Sequence, residues 1–388
     1  MTNFDDIRPY NDDEVEATLE RLLLDSEFLD TIAKWRLPQL KMVAPLLRPF
    51  VRRVLKKQTL GIYSVSDLQA RVEDYLANVI NKTTTNLTMS GLDRLDVNEA
   101  YCFISNHRDI AMDSAFVNWC LFRKGSQTLR IAIGDNLLTK PFASDLMRLN
   151  KSFIVNRSAK GPREKLKAAK KLSHYIHHSI VDDRSNIWIA QREGRAKDGL
   201  DKTNPAIISM LALNRDKSLS VGEYMRQLRI VPVTISYEFD PCDESKAREL
   251  YVIEQSGGYE KQEHEDVASI ARGITGFKGD VHLAFGAPLD ADYDSTEALT
   301  ADVDRQIQEN YVLHPTNCIA YEILEQQAPD VLVSAKGIPF GELNLKGKRE
   351  LFKQRVAACN PEWRAFLLRA YANPVYTKLR LRADSGAR

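Results

Sequence analysis

Short apolar runs alternate along most of this chain with longer stretches whose apolar residues recur every three or four positions. The runs YCFIS, LRIAI, SFIVN, NIWIA, RIVPVTISY and VHLAFG are rich in β-branched and aromatic residues and have the length of buried strands. Between most of them lie stretches with helical spacing, such as MDSAFVNWCLF, REKLKAAKKLSHYIHH and PAIISMLAL. Strands alternating with helices predict an α/β domain on a mixed, largely parallel sheet covered by helices on both faces. Residues 1–85 read as helical instead. DEVEATLERLLLDSEFLDTIAKW has helical periodicity, SDLQARVEDYLANVI starts at a capping residue, Ser66, and the polar run NKTTTN ends the pattern. RAFLLRAYANPVYTKL is the clearest helix near the C-terminus. The expected organisation is an N-terminal helical domain at 1–85, an α/β domain at 86–330 and a basic helical appendage at 331–388.

Composition narrows the class. The 388 residues are 44% hydrophobic and 28% charged, with a net charge of +1. That is ordinary for a soluble protein, and no apolar run reaches the roughly 18 to 20 residues that span a bilayer. The first residues, MTNFDDIRPYNDDEVE, are acidic where a signal peptide is basic and then apolar. Five cysteines include no CxxC pair, which fits reduced thiols and a cytoplasmic setting.

Local charge is far from even. Residues 1–30 hold ten acids and two bases, whereas Lys34 to Lys57 holds eight bases and no acid. Lys336 to Arg388 holds twelve bases against four acids. Bases interleaved with Trp35, Leu46, Leu47, Phe50 and Val54 suit an anionic lipid surface, such as the inner face of a membrane. They equally suit a helix whose apolar stripe packs internally. No fold signature for nucleic-acid binding accompanies the charge.

Candidate chemistry gathers at strand ends, where sheets of this kind usually place their sites. In FISNHRDIAMDS, His107 follows an apolar strand and two carboxylates follow it, Asp109 and Asp113. A carboxylate that accepts one ring N–H fixes the tautomer and stabilises the imidazolium formed when the other nitrogen takes a proton. Such a base needs no side-chain nucleophile if the proton comes from a substrate hydroxyl, and the chain has neither a GxSxG elbow nor a P-loop. Arg157 follows the strand in FIVNRS, and Arg192, Arg195 and Lys197 follow the one in IWIAQREGRAKDG. Several cations at the edge that holds a histidine point to an anion such as phosphate. His174, His177 and His178 in HYIHH have helical spacing but no carboxylate in a metal motif, so no metal is expected there.

Over residues 86–290 these blocks resemble the glycerol-phosphate acyltransferase superfamily. NIWIAQREGR, and a helical N-terminal domain before the catalytic domain, are similar to the soluble plastid glycerol-3-phosphate acyltransferase. Two positions depart from the family. Its first block is His, four residues, Asp, whereas five residues separate His107 from Asp113. Asp109 is therefore a rival partner, and Asp113 is favoured because the apolar helix begins beside it. In the third block Arg195 matches the family's arginine, but Arg192 stands at the family's glutamate and Glu193 lies one position too close.

The resemblance implies that His107, oriented by Asp113, removes a proton from a glycerol hydroxyl. The alkoxide then attacks an acyl thioester carried by CoA or acyl carrier protein. Backbone N–H groups near the start of the following helix would stabilise the oxyanion, and Arg157, Arg195 and Lys197 would hold the acceptor's phosphate. The acceptor is glycerol-3-phosphate or its 1-acyl form, lysophosphatidic acid, and no cofactor is implied beyond the acyl donor. A non-catalytic membrane-binding protein on the same scaffold is the reading from a different class.

Overall fold

The computed structural model describes residues 3–262 and 265–386. The chain runs through α1 (Asp12–Leu24), α2 (Ser26–Arg36), α3 (Ala44–Gln58) and α4 (Val65–Thr83) into β1 (Thr84–Ser90) and β2 (Cys102–Ser105). Next come α5 (Met112–Arg123), β3 (Arg130–Gly134), α6 (Pro141–Leu149), β4 (Ser152–Val155), α7 (Gly161–Val181) and β5 (Ile187–Ala190). The alternation continues with α8 (Pro205–Leu211), α9 (Val221–Gln227), β6 (Ile230–Tyr237), α10 (Asp243–Ser256), α11 (Glu265–Thr275) and β7 (Gly279–Phe285). The C-terminal part holds α12 (Thr296–Asn310), α13 (Pro315–Glu325), a ribbon of β8 (Leu332–Val333) and β9 (Ile338–Pro339), α14 (Lys346–Ala358) and α15 (Arg364–Gly386).

The strands β1 to β7 are mixed and mostly parallel, the α/β class that the sequence predicts. Two compact units divide the chain, residues 1–75 with 128–175 and residues 76–127 with 176–388, so boundaries at 85 and 330 do not coincide with them. In the larger unit the strand order is β1-β7-β6-β2-β5, with β6 and β7 antiparallel and the other pairs parallel. All eight residues of β6 are buried, as expected for an apolar strand with partners on both sides. Burying each of its valine and isoleucine side chains contributes on the order of 1.5 to 3 kcal/mol.

The C-terminal helices are not an appendage. Phe352, Leu367, Tyr371 and Val375 share one core with Phe239, Ala247 and Ile319 of the larger unit. Two bases of this region form ion pairs with acids that follow β6: Arg355 with Asp243 and Lys348 with Glu238. Arg388 lies outside the described residues.

In the smaller unit β3 and β4 pair in parallel, with Ile131 opposite Ser152. Val15, Leu22, Phe28, Ile62 and Leu149 form one of its cores. The stretch with helical periodicity from 13 to 35 forms two helices, because Asp25 ends α1 and its side chain accepts from Phe28 N to cap α2. Likewise α4 starts before the expected Ser66. Ser64 caps it, with Asp67 N donating to Ser64 Oγ and Ser64 N to Asp67 Oδ2.

Two stripes of α3 are apolar. Leu47, Val51 and Leu55 pack inward with Leu29, Ala33 and Ala44. Leu46 and Phe50 stand 78% and 62% exposed on the other side, with Val54 beside them and Met42 exposed in the turn before the helix. Arg48 pairs with Asp30, and Arg52 Nε donates to Leu23 O, so these two bases fasten α3 to its own unit. Arg53, Lys56 and Lys57 are exposed and form no ion pair among the described residues.

Candidate active site

His107 leaves the C-terminal end of β2 on a turn held from several sides. Asn106 extends the strand pairing with its side chain: Oδ1 accepts from Ile235 N at 2.7 Å, and Nδ2 donates to Ile235 O at 3.0 Å. The buried Arg108 donates to Asp201 Oδ2 at 2.6 Å and to Gly199 O at 3.1 Å, and Lys246 Nζ donates to Arg108 O at 2.6 Å. The pair is not fully satisfied, because Arg108 Nε and Asp201 Oδ1 are buried without a partner among the described residues. Its effect here is to immobilise the backbone on both sides of His107.

Asp113, on the first turn of α5, is fully buried and faces the ring. Its Oδ2 lies 2.9 Å from His107 Nδ1 and accepts from Arg108 N at 2.6 Å and Asp109 N at 2.9 Å. Its Oδ1 accepts from Tyr237 OH at 2.7 Å. A carboxylate in that role is an acceptor only, so the facing tautomer carries its hydrogen on Nδ1 and leaves Nε2 to take a proton. Trp188 packs edge-on against the imidazole, with ring centres 5.9 Å apart.

Asp109 does not compete for the ring. Its Oδ1 accepts from Ala111 N at 3.0 Å and Met112 N at 2.8 Å, closing the turn and capping α5. The extra residue in the His–Asp spacing is absorbed in this turn. Burial, and then the charge of Asp113, push the Asp109 carboxyl above its ordinary value.

The helix starts at Met112, one residue before Asp113. The N–H groups of Ala111 and Met112 go to Asp109, and those of Arg108 and Asp109 go to Asp113. These four are engaged by carboxylates and are not free to act as oxyanion donors.

Two of the expected phosphate cations share the loop after β5. Ala196 N donates to His107 O at 2.7 Å, which sets Arg195 and Lys197 on either side of a contact with the histidine's own backbone. Arg195 Nη2 donates to Ser269 Oγ of α11 at 3.3 Å, while its Nη1 is buried without a partner among the described residues. Lys197 forms an ion pair with Glu249 of α10. Helix α15 buttresses this loop. Asn373 Nδ2 donates to Asp198 O, and Gly199 has φ +79°, with a Cβ there lying 2.0 Å from Ala370 O. Arg192 is half-buried and Glu193 exposed at the loop's start.

Arg157 belongs to the smaller unit, after β4, where its N–H and that of Ser158 donate to the carboxylate of Asp135. The three histidines of α7 take separate partners: His174 against Phe4, His177 on Gln227 and Tyr224, and His178 on Asp182. Tyr237, Asn106, Arg108, Asp201 and Lys246 were not singled out from sequence. Tyr237 carried the one available signal, as the polar-tipped residue closing an otherwise apolar strand.

Residues 86–236 match the acyltransferase family model. The matched segment includes His107, Asp113, Arg195 and Lys197. A solved structure, the 1-acyl-sn-glycerophosphate (LPA) acyltransferase PlsC from Thermotoga maritima, aligns over 76% of this chain and 95% of its own, with 13% identity and a TM-score of 0.37. Comparison with curated proteins found no match.

Proposed function

We propose that this chain is an acyltransferase that moves a fatty acyl group from a thioester, on CoA or acyl carrier protein, to a hydroxyl of glycerol-3-phosphate. The observation that carries the reading is the 2.9 Å pairing of His107 Nδ1 with a buried carboxylate inside the acyltransferase domain. His107 Nε2 accepts the proton of the acceptor hydroxyl, and the oxygen forms its bond to the thioester carbonyl carbon. Collapse of the tetrahedral intermediate breaks the C–S bond, and the imidazolium returns the proton to the departing sulfur. Asp113 stabilises the imidazolium between these events. Arg195, with an Nη1 buried and unpartnered among the described residues, is the leading phosphate ligand, and Lys197 joins it if the phosphate draws it from Glu249. The step as written uses no metal.

The product is a lipid, and no described helix is long and apolar enough to cross a membrane. The outward face of α3 offers a peripheral alternative, because Leu46, Phe50 and Val54 lie on the same side of the helix as Arg53 and Lys57. Each base near an anionic surface adds about 1 kcal/mol, so binding weakens with salt. Charge reversal at Arg53, Lys56 and Lys57 avoids the structural pairs of Arg48 and Arg52 and is expected to reduce sedimentation with phosphatidylglycerol vesicles. A variant that pellets like wild type would remove α3 from the membrane reading.

The deciding experiment is thioester cleavage with glycerol-3-phosphate, lysophosphatidic acid or no acceptor, run for wild type and His107→Ala. Acceptor-dependent cleavage lost by a hundredfold or more in the variant is expected. Preference for the acylated acceptor would make the product phosphatidic acid. Absence of cleavage with every acceptor would favour a non-catalytic binding protein.

A further inference from the structure

We propose that Tyr237 is a positioning residue for acyl transfer, holding the Asp113 carboxylate in the plane that presents Oδ2 to His107. The role rests on the acyl-transfer reading of the site. The two oxygens of Asp113 are held unequally. Oδ2 receives the ring and two backbone N–H groups, whereas Oδ1 has the Tyr237 hydroxyl, at 2.7 Å. Rotation about Cβ–Cγ turns both oxygens together, so a fixed donor on Oδ1 limits how far Oδ2 can leave the ring.

Tyr237 is itself well anchored. It is the last residue of β6, two positions beyond Ile235, whose backbone N–H and carbonyl are both gripped by Asn106. Asn106 directly precedes His107, so β2 and β6 are tied twice around the histidine, once through each neighbour of the dyad. The phenol ring is 6% exposed and packs against Phe116 of α5, the helix that carries Asp113. Burial, and then the Asp113 charge, hold the hydroxyl in its protonated form, as a donor.

Tyr237→Phe keeps the ring and removes the donor. Loss of one hydrogen bond to a charged group typically changes a rate by about ten- to a hundredfold. The expected result is a kcat lowered by that factor, with both KM values unchanged. The far-downfield proton resonance of the His107 Nδ1–H should also be displaced or lost in the resting full-length protein. Replacing Tyr237 with 3-fluorotyrosine restores the donor and should restore both readouts, which a general loss of folding would not allow. An unchanged kcat together with an unchanged resonance would overturn the assignment. A displaced resonance in a protein whose wild type transfers no acyl group would overturn the acyl-transfer reading and leave the geometry of the carboxylate intact.

Discussion

Asp113→Asn and Asp109→Asn replace neighbouring buried carboxylates by isosteric amides, and the hydrogen bonds forecast very different outcomes. In the first variant the amide oxygen can occupy the Oδ2 position and keep its three bonds, while the amide nitrogen faces Tyr237, whose hydroxyl can also accept. Folding should change by about 1 kcal/mol or less, one hydrogen bond's worth. What disappears is the charge opposite the imidazolium. An ion pair at this range is worth roughly 4 kcal/mol at an effective dielectric of 20, and about 2 where the amide recovers part of it. Acyl transfer should therefore fall roughly thirtyfold to a thousandfold. In Asp109→Asn the amide oxygen keeps the bonds from Ala111 and Met112, and the nitrogen replaces Oδ2, a buried oxygen without a partner among the described residues. Activity should change by less than about threefold, well under one kcal/mol of barrier. Steady-state kcat/KM for both variants, beside thermal melts, provides the comparison. Equal losses, or a greater loss in Asp109→Asn, would refute the assignment of the dyad to His107 and Asp113.

Arg195→Ala should raise the KM for the phosphate acceptor about ten- to a hundredfold and leave the thioester KM unchanged; an unchanged acceptor KM would place the phosphate elsewhere. Lys197→Ala should also lower the melting temperature, because it strands Glu249, which is only 7% exposed. Burial pushes His282 and His314 down to about 4, so below about pH 6.5 the unfolded chain binds protons that the folded one refuses. Stability is then full above pH 6.5 and declines towards pH 4, by about 2 kcal/mol per histidine at pH 5, and denaturant melts that do not change between pH 7 and 5 would contradict this. Gly273→Ala should destabilise by about 1 to 3 kcal/mol although alanine favours helix, because its Cβ would lie 2.1 Å from Asp109 Oδ2; a more stable variant would refute that packing.

The strands β2 to β7 were legible as short apolar runs, and in β2, β5, β6 and β7 burial on both faces keeps that run nearly continuous, a signal that survives without knowledge of partners. The first residues of β1, Thr84 to Asn86, fall in the run read as a polar break. The strand is largely exposed, and the residues TTNLTMS form a strand only because β7 offers them a parallel edge. Capping showed the same limit on a smaller scale. Ser64 and Ser66 are both adequate caps by chemistry, and hydrogen bonding with Asp67 selects Ser64.

By itself the sequence determined the α/β class and the histidine at a strand end, together with the cations of the loop after β5. These follow from local pattern, because alternation, strand-end position and residue type are properties of neighbours in the chain. Tertiary structure decided which carboxylate meets His107. Counting residues left Asp109 and Asp113 both open, and backbone donors from the intervening turn occupy one and present the other. Partners distant in sequence also came only from the fold: Tyr237 on Asp113, Glu249 on Lys197, and Ala370 against Gly199. Hydrogen bonds and ion pairs act over about 3 Å of space whatever the separation along the chain. The chemistry of each side chain is therefore written in the sequence, and the fold selects the partner that completes it.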